Sequence, residues 1–178
     1  MKLTKIFVSL ALSLLIVLLA GSAFGKTNLG LFGVGGRLGY IMPEDPIDNA
    51  FNLGVIADLG TIIPSLHLEA YLDYWGKSYD VGDFEWSWSV IGLGAVVKYY
   101  FKMDSKIQPY AGGGLGLDFF STKVENAGSD SSIEFALRLL GGAQMPLTPK
   151  IDGFAQLMFS TSDIDYFGIF LGAVYKLK

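Results

Sequence analysis

Apolar and polar side chains alternate along most of the chain between residues 31 and 176. In the segment 31–41, one row of alternate positions is apolar and the other is small or polar: Phe32, Val34, Leu38 and Tyr40 against Gly33, Gly35, Arg37 and Gly39. Successive side chains of a β-strand point to opposite faces, so this pattern predicts a strand with one apolar face.

The same alternation recurs seven more times and predicts eight strands in all. The further segments are 51–59, 66–74, 88–101, 110–119, 134–143, 151–159 and 167–176. Each has at least the roughly 9–11 residues that a tilted strand needs to cross a bilayer. Long and short connections alternate along most of the chain, as expected for antiparallel hairpins in up-and-down order. The fold class predicted is all-β.

Formal charges within these strands all lie on the face opposite the apolar row. A charged side chain that faces lipid at mid-bilayer costs about 2–4 kcal/mol for Arg or Lys, so the apolar rows are expected to face lipid. Closing the sheet into a transmembrane barrel leaves no unpaired strand edge in the membrane. The residues predicted to form a polar network in the lumen are Arg37, Asp58, His67, Glu69, Asp73, Lys98, Asp118, Glu134, Arg138 and Asp152.

A soluble barrel or sandwich is the alternative, with the apolar rows turned inward and the charges in water. The periodicity alone fits both arrangements. Aromatic residues near the strand ends favour the membrane barrel, because aromatic girdles lie at the two interfaces of a bilayer. They are Tyr40, Tyr74, Tyr99, Phe119, Phe159 and Tyr175.

An eight-stranded barrel is only wide enough for side chains to fill its interior. Inward glycines would face the large inward groups Tyr71, Trp88, Tyr100, Tyr110, Phe154, Met158 and Phe170. Buried charges need partners, and we expect Arg37 and Arg138 to reach Glu69 near mid-height. A wide pore is not expected.

The first 25 residues have the three parts of a secretory signal. Lys2 and Lys5 precede an apolar run over residues 6–20, and Ala23 and Gly25 supply a small-x-small ending. A membrane anchor helix is the alternative, although it usually needs about 20 apolar residues. We expect residues 1–25 to form a signal-peptide helix and residues 26–178 to form the barrel.

Composition excludes several classes of protein. The chain has 13 Lys and Arg against 17 Asp and Glu, a net charge of −4, and no cysteine. Disulfide frameworks and Cys-ligated metals are excluded, and the acidic balance argues against nucleic acid as a partner. The long connections form an acidic rim, for which solvation is expected rather than a metal or another cofactor: Glu44, Asp45, Asp48, Asp80, Asp83, Glu85, Glu125, Asp130, Asp163 and Asp165.

Two further sets of residues are candidates for function. Ser65, His67 and Glu69 share one strand face, but same-face neighbours stand about 6.8 Å apart, too far for direct hydrogen bonds. A polar plug is expected there, and no catalytic residue is assigned. Segments 77–85 and 121–132 are the predicted contact loops, with Tyr79, Phe84 and Trp86 as aromatic anchors.

Three stretches resemble the small eight-stranded outer-membrane β-barrel family, of the OmpX and OmpA transmembrane-domain type. They are the glycine-rich run Gln108-Pro109-Tyr110-Ala111-Gly112-Gly113-Gly114-Leu115-Gly116, the strand end Lys98-Tyr99-Tyr100-Phe101 and the terminal strand Gly172-Ala173-Val174-Tyr175-Lys176-Leu177. The resemblance implies insertion by the barrel assembly machinery through a terminal Gly-x-x-aromatic-x-aromatic signal. Tyr175 matches that signal, whereas Leu177 replaces its last aromatic.

The family has no common activity, so the resemblance implies a location in the bacterial outer membrane, among its lipids, rather than a reaction. We expect a non-enzymatic protein with a structural or surface-interaction role, whose acidic extracellular loops meet an extracellular ligand or a host surface. Three alternatives stay open: a conduit for small or hydrophobic solutes, a lipid-modifying enzyme centred on His67, and a soluble periplasmic ligand binder.

Overall fold

The computed structural model describes residues 27–45, 47–81, 84–124 and 128–177. The predicted signal peptide lies outside these residues and stays a prediction. The regular elements of the described part are β-strands: β1 (Asn28–Pro43), β2 (Ala50–Ile63), β3 (Leu66–Val81), β4 (Phe84–Tyr100), β5 (Gln108–Val124), β6 (Gly128–Thr148), β7 (Ile151–Thr161) and β8 (Tyr166–Lys176). No helix within the described ranges is long and apolar enough to cross a membrane.

The eight strands form a closed ring in chain order. Every neighbouring pair is antiparallel, and β8 closes the ring against β1 from Gly33↔Lys176 to Pro43↔Tyr166. All strands therefore have a partner on both sides over part of their length. The all-β, up-and-down barrel predicted from the alternation is confirmed.

The strands are strongly staggered around the ring. A row of directly paired residues that starts at Gly33 meets β1 again at Pro43, ten residues further along: Gly33, Asp58, Glu69, Val96, Gly114, Arg138, Ser160, Tyr166 and Pro43. Such a stagger requires the strands to tilt against the barrel axis. Side chains at one height in the lumen therefore come from residues that are not paired with each other.

The first residue of β1 and the last residue of β8 lie at the same end of the barrel, called the terminal end, together with the turns 64–65, 101–107 and 149–150. The opposite end, where β1, β3, β5 and β7 finish, is called the loop end. At the loop end β3 to β6 continue beyond their pairing with β2 and β7. In outer-membrane barrels the longer connecting segments face outwards and the other end faces the periplasm.

Apolar rows cover the outside of the barrel. Leu38, Phe51 and Leu53 are 65%, 81% and 62% exposed, whereas Arg37, Glu69 and Arg138 are almost completely buried in the lumen. A soluble protein does not expose large side chains on every strand, since contiguous apolar patches of that size mark membrane or partner contact. The soluble alternative is therefore wrong, and the barrel turns its apolar surface to lipid.

The side chains that fill the lumen lie on the strand faces that the alternation predicted to point inward. Tyr71, Trp88, Tyr110, Phe154, Met158 and Phe170 are buried in one apolar cluster, and Tyr100 packs against it. At Gly39 and Gly172 a Cβ atom would run into the rings of Phe170 and Phe154. Glycines thus supply the space that the aromatic side chains occupy.

Phe32 is an exception to the predicted alternation. The register between β1 and β2 is irregular between Leu29 and Gly33, where β1 advances by four residues while β2 advances by two. Extra residues on one strand disrupt the ladder locally and re-aim the side chains there. Phe32 therefore lines a cavity at the terminal end, and Leu31 is exposed instead.

The predicted contact loops are largely strand. β3 and β4 stay paired from Leu66↔Tyr99 to Val81↔Phe84, and β5 and β6 from Gln108↔Gln144 to Val124↔Gly128. Beyond the membrane the outward face needs no apolar side chains, so the alternation stops while the backbone pairing continues. The loop bounds 77–85 and 121–132 are therefore wrong, because most of these residues extend the barrel wall.

Candidate functional site

Two arginines and two aspartates form the centre of the lumen. Asp73 accepts from Arg37 Nε at 2.9 Å and Nη2 at 2.5 Å, and it accepts from Arg138 Nη1 at 3.2 Å. Arg138 Nη2 also donates to Asp118 at 2.7 Å. All four side chains are at most 2% exposed, so this cluster, the central charge cluster, joins β1, β3, β5 and β6 across the interior.

Glu69 lies apart from this cluster, which corrects the expected pairing. Lys98 Nζ donates to Glu69 Oε2 at 2.6 Å, on the terminal-end side of Asp73. Glu69 precedes Asp73 by two inward positions on β3, and the strand advances about 3.3–3.4 Å per residue. The stagger of the ring brings Asp73, rather than Glu69, to the height of Arg37 and Arg138.

Aromatic side chains fill the lumen on the loop-end side. The Trp75 ring meets Trp88 edge-on at 5.0 Å and Tyr166 at 5.4 Å between ring centroids. The prediction missed Trp75 and Tyr166 because the strands predicted from the apolar rows stop at residue 74 and begin at residue 167. Their inward parity, in phase with Asp73 and Phe170, is the signal that could have found them.

Neutral polar side chains complete the interior. Asn52, Gln156 and Ser160 are at most 2% exposed, and Gln156 accepts from the Tyr110 hydroxyl at 3.0 Å. In the sequence, Asn52 and Gln156 share the parity of the charged side chains of their strands, but this pattern does not distinguish an uncharged inward side chain from a solvated one. The middle of the lumen is thus packed by charged, polar and aromatic groups.

A cavity of about 450 Å³ opens at the terminal end. Its titratable lining residues include Asp58, His67, Glu69, Lys98, Lys102, Asp152 and Lys176, and Phe32, Tyr100 and Phe101 also line it. Asp152 bonds Lys176 at 2.6 Å and accepts from Gln144 at 2.9 Å. Asp58 is half-buried and accepts from the Gly60 amide at 2.8 Å.

The predicted lumen residues thus occupy four places. The central charge cluster contains Arg37, Asp73, Asp118 and Arg138. Glu69 and Lys98 pair on its terminal-end side. Asp58, His67 and Asp152 line the terminal-end cavity. Glu134 is only half-buried and lies opposite Asp118 on the neighbouring strand, towards the loop end.

Ser65, His67 and Glu69 do not assemble as a catalytic chain. They line the same cavity, but Glu69 bonds Lys98, and His67 packs edge-on against Tyr100 at 4.8 Å between centroids. Among the described residues, no group of three or more His, Cys, Asp or Glu side chains could hold a metal ion.

Four strands project beyond the others at the loop end. The pairing of β2 with β3 ends at Asn52↔Trp75, and that of β6 with β7 ends at Leu137↔Thr161. Residues 76–81 of β3 and 128–136 of β6 are therefore the two edges of a four-stranded sheet, called the projecting sheet. Tyr79, Phe84 and Trp86 belong to its strands, with Tyr79 opposite Trp86, but their side chains lie outside the described part.

Comparisons with known proteins agree with this architecture. The structure is similar to that of Neisserial surface protein A, with a TM-score of 0.67 and 18% identity over 84% of this chain and 99% of that chain. It is also similar to Ail, the attachment invasion locus protein of Yersinia pestis, solved with the heparin analogue sucrose octasulfate (TM-score 0.55, 14% identity, 83% and 97% covered). A third similar structure is that of the outer membrane enzyme PagL (TM-score 0.51, 18% identity, 79% and 97% covered).

These similarities are below 25% identity and concern the fold. A search of curated protein sequences found no match. The model of the family described as outer membrane protein beta-barrel domain, however, matches residues 11–175. The chain therefore belongs to this family of β-barrels and is a protein of the bacterial outer membrane.

Proposed function

We propose that the protein is a non-enzymatic outer-membrane barrel that binds a partner outside the cell through its projecting sheet. The observation that carries this proposal is the pair of sheet edges at 76–81 and 128–136, where the strand pairing of the described residues runs to a neighbouring strand on one side only. An exposed strand edge offers a row of backbone donors and acceptors to an added strand. An extended segment of a partner protein can therefore bind by β-augmentation.

The charge of the loop end favours a cationic partner. Glu44, Asp45, Asp48, Asp163 and Asp165 lie in the described connections there, and Asp130 is exposed on the β6 edge. Lys77 is on the same end but is bonded to Asp48 at 3.1 Å. Ail was solved with a polyanion, the heparin analogue, whereas repulsion between like charges disfavours such a ligand here.

The outward apolar row of β6 shows where its edge leaves the lipid. Ile133 and Phe135 are 62% and 49% exposed and continue the lipid-facing row of Leu139. The part of the edge offered to a partner is therefore 128–132, where Asp130 is exposed. This part of the edge combines backbone groups and negative charge.

Two alternatives have less support. A conduit requires a continuous path, which the central charge cluster and the Trp75–Trp88–Tyr166 group oppose. An enzyme with the barrel fold of PagL requires a reactive group, and the pairing of Glu69 with Lys98 leaves His67 without that carboxylate.

Deletion of residues 121–132 tests the proposal. We expect vesicles that hold the wild-type barrel to bind an immobilised extended peptide of alternating lysine and valine, and the deletion variant to lose at least about tenfold in affinity. The charge-matched control is the single variant Asp163→Asn, because the deletion removes Glu125, Asp130 and Lys123, a net loss of one negative charge, and this variant leaves the edge intact. Equal binding by the deletion variant, with the heat-modifiable gel migration of a folded barrel, would overturn the proposal.

A further inference from the structure

A cavity outside the lumen lies on the outer face of the projecting sheet. Its volume is about 290 Å³, and it is called the outer notch. It is lined by Tyr74, Gly76 and Ser78 of β3, by Ser87 and Ser89 of β4, and by Ser121 of β5. Pockets for small molecules begin at about 300 Å³, so the outer notch has room for a group of about the size of one sugar ring.

The register of the strands places the outer notch directly beyond the apolar surface. Tyr74 is paired with Ile91, and these two outward side chains are 55% and 46% exposed. In the next outward row Gly76 is paired with Ser89, and Ser89 with Ser121. Apolar side chains therefore give way to hydroxyl groups within a single outward step of the wall.

The outer notch lies at the depth of the lipid headgroups. Gly76 is two residues beyond Tyr74, which is an exposed aromatic residue of the kind found at the interface of a bilayer. Two residues of a strand tilted by about 35–45° rise about 5 Å, whereas each headgroup region is about 5–8 Å thick. The surface of the outer notch is thus continuous with the lipid-facing wall, and a lipid headgroup is the ligand closest to it.

The hydrogen-bonding side chains of the outer notch are uncharged. Ser87, Ser89 and Ser121 are half-buried, and their hydroxyl groups bond no other described residue. Each hydroxyl group can donate one hydrogen bond and accept two. Among the described residues that line the notch there is no carboxylate, and the ammonium group of Lys77, which also lines it, bonds Asp48 at 3.1 Å. A neutral polyol therefore fits the notch better than a metal ion or an anion.

Tyr74 adds an apolar surface to these hydroxyl groups. Its side chain is more than half exposed on the membrane side of the outer notch. A sugar ring carries hydroxyl groups around its rim and C–H groups on its faces. An aromatic ring provides apolar area for such a face, while serine hydroxyl groups bond the rim. The combination of Tyr74 with three serines therefore favours a sugar over other polyols.

We propose that the outer notch binds the neutral sugar headgroup of a glycolipid in the outer leaflet of the membrane. Sugar hydroxyl groups bond Ser87, Ser89 and Ser121. One face of the sugar packs against Tyr74, and the acyl chains continue along the apolar rows of the wall. The outer notch lies between the two edges of the projecting sheet, so this binding does not depend on the proposed partner protein.

The test uses the folded barrel in phosphatidylcholine nanodiscs with monoglucosyl diacylglycerol as the probe. Amide NMR shifts are expected to change saturably at Gly76, Ser89 and Ser121 as the mole fraction of the glycolipid rises. Phosphatidylglycerol with the same acyl chains is expected to cause no such change. The absence of saturable shifts with the glycolipid would overturn the proposal. Equal shifts with soluble methyl glucoside would also overturn it, because the ligand would then be a free sugar.

Variants distinguish the outer notch from the general contact of the barrel with lipid. Ser89→Val and Ser121→Val each remove one hydroxyl group and introduce a side chain that favours strands, and each is expected to weaken glycolipid binding about two- to tenfold. Ser131→Val is the matched control, because Ser131 is paired with Ser121 in the same outward row but does not line the notch. It is expected to leave binding unchanged. Heat-modifiable gel migration verifies that each variant is folded. Unchanged binding in both notch variants, or an equal loss in Ser131→Val, would overturn the proposal.

Discussion

Asp73 connects two arginines that would otherwise be buried without sufficient negative charge. It bonds Arg37 and Arg138, and among the described residues only Arg138 bonds a second carboxylate, that of Asp118. Arg138 also lies 4.2 Å from the centre of the Tyr71 ring, and Arg37 lies 4.9 Å from that of Phe170. The aromatic rings add cation–π contacts, but they do not replace the charge of Asp73.

Asp73→Asn should therefore destabilise the barrel by about 3–5 kcal/mol, since it leaves a guanidinium buried without its carboxylate. Unfolding by guanidinium chloride in detergent measures the change. Asp48→Asn is the control, because it removes the carboxylate of an exposed ion pair with Lys77, and such pairs contribute about 0–1 kcal/mol. Equal effects of the two variants would contradict the role assigned to the central charge cluster.

Gly54 leaves the space that this cluster needs. A Cβ atom there would run into Asp73 Oδ1 and the Arg37 side chain, whereas a Cβ atom at the outward Gly36 would meet only the Gly54 carbonyl oxygen at 3.7 Å. Gly54→Ala should cost about 1–3 kcal/mol through overpacking. Gly36→Ala should be neutral or stabilise by about 0.5–1 kcal/mol, because Gly weakens a strand. The same unfolding measurement distinguishes the two variants. Equal free energies of unfolding for Gly54→Ala and Gly36→Ala would show that the lumen has room for a Cβ atom at Gly54.

At the scale of the element, the turn between β2 and β3 has a residue in the left-handed region. Ser65 has a φ of 73°, and Ile63 pairs with Leu66 around it. Pro64 and Ser65 thus match the second and third positions of a type II turn, where the third position favours Gly.

Ser65→Gly should relieve this strain and stabilise the barrel by up to about 1 kcal/mol. Ser105→Gly, in the turn 101–107, is the control: it removes the Ser105 Oγ that accepts from the Ile107 amide at 3.0 Å, and it should be neutral or destabilising. Thermal unfolding in detergent, followed by the loss of the fast-migrating gel band, measures both. A loss of stability in Ser65→Gly would contradict the assignment of backbone strain to Ser65.

The strands were predictable from the sequence where lipid constrains them. Each outward position in the bilayer must be apolar, so Leu38, Leu53 and their counterparts reveal both the strand and its phase. The inward position of Arg37, Glu69 and Arg138 followed from the same constraint, because a charged side chain on the lipid-facing side of a membrane strand is destabilising.

The extension of the strands at the loop end and the pairing of the inward charges were not predictable, for two physical reasons. Beyond the membrane no rule of alternation holds, so the continuation of β5 and β6 to Val124 and Gly128 leaves no pattern. Which inward charges meet depends on the stagger of the whole ring, and a single strand does not encode it. The pairing of Arg37 with Asp73 instead of Glu69 arises in this way.

At the scale of the whole molecule, the lumen is closed at successive heights. Lys98 and Glu69 pair nearest the terminal end, the central charge cluster follows, and Trp75, Trp88 and Tyr166 pack towards the loop end. The purified barrel should therefore show no stable conductance steps in planar lipid bilayers. A porin reconstituted in the same way is the positive control, and reproducible steps from this protein would mean that the interior opens a continuous path.

The unequal length of the strands makes the rim of the barrel uneven. β7 and β8 have only 11 residues each, whereas the neighbouring β6 has 21. At the loop end the rim is therefore low along β7 and β8 and tall along β3 to β6. A large molecule that approaches this end from outside meets the tall wall first.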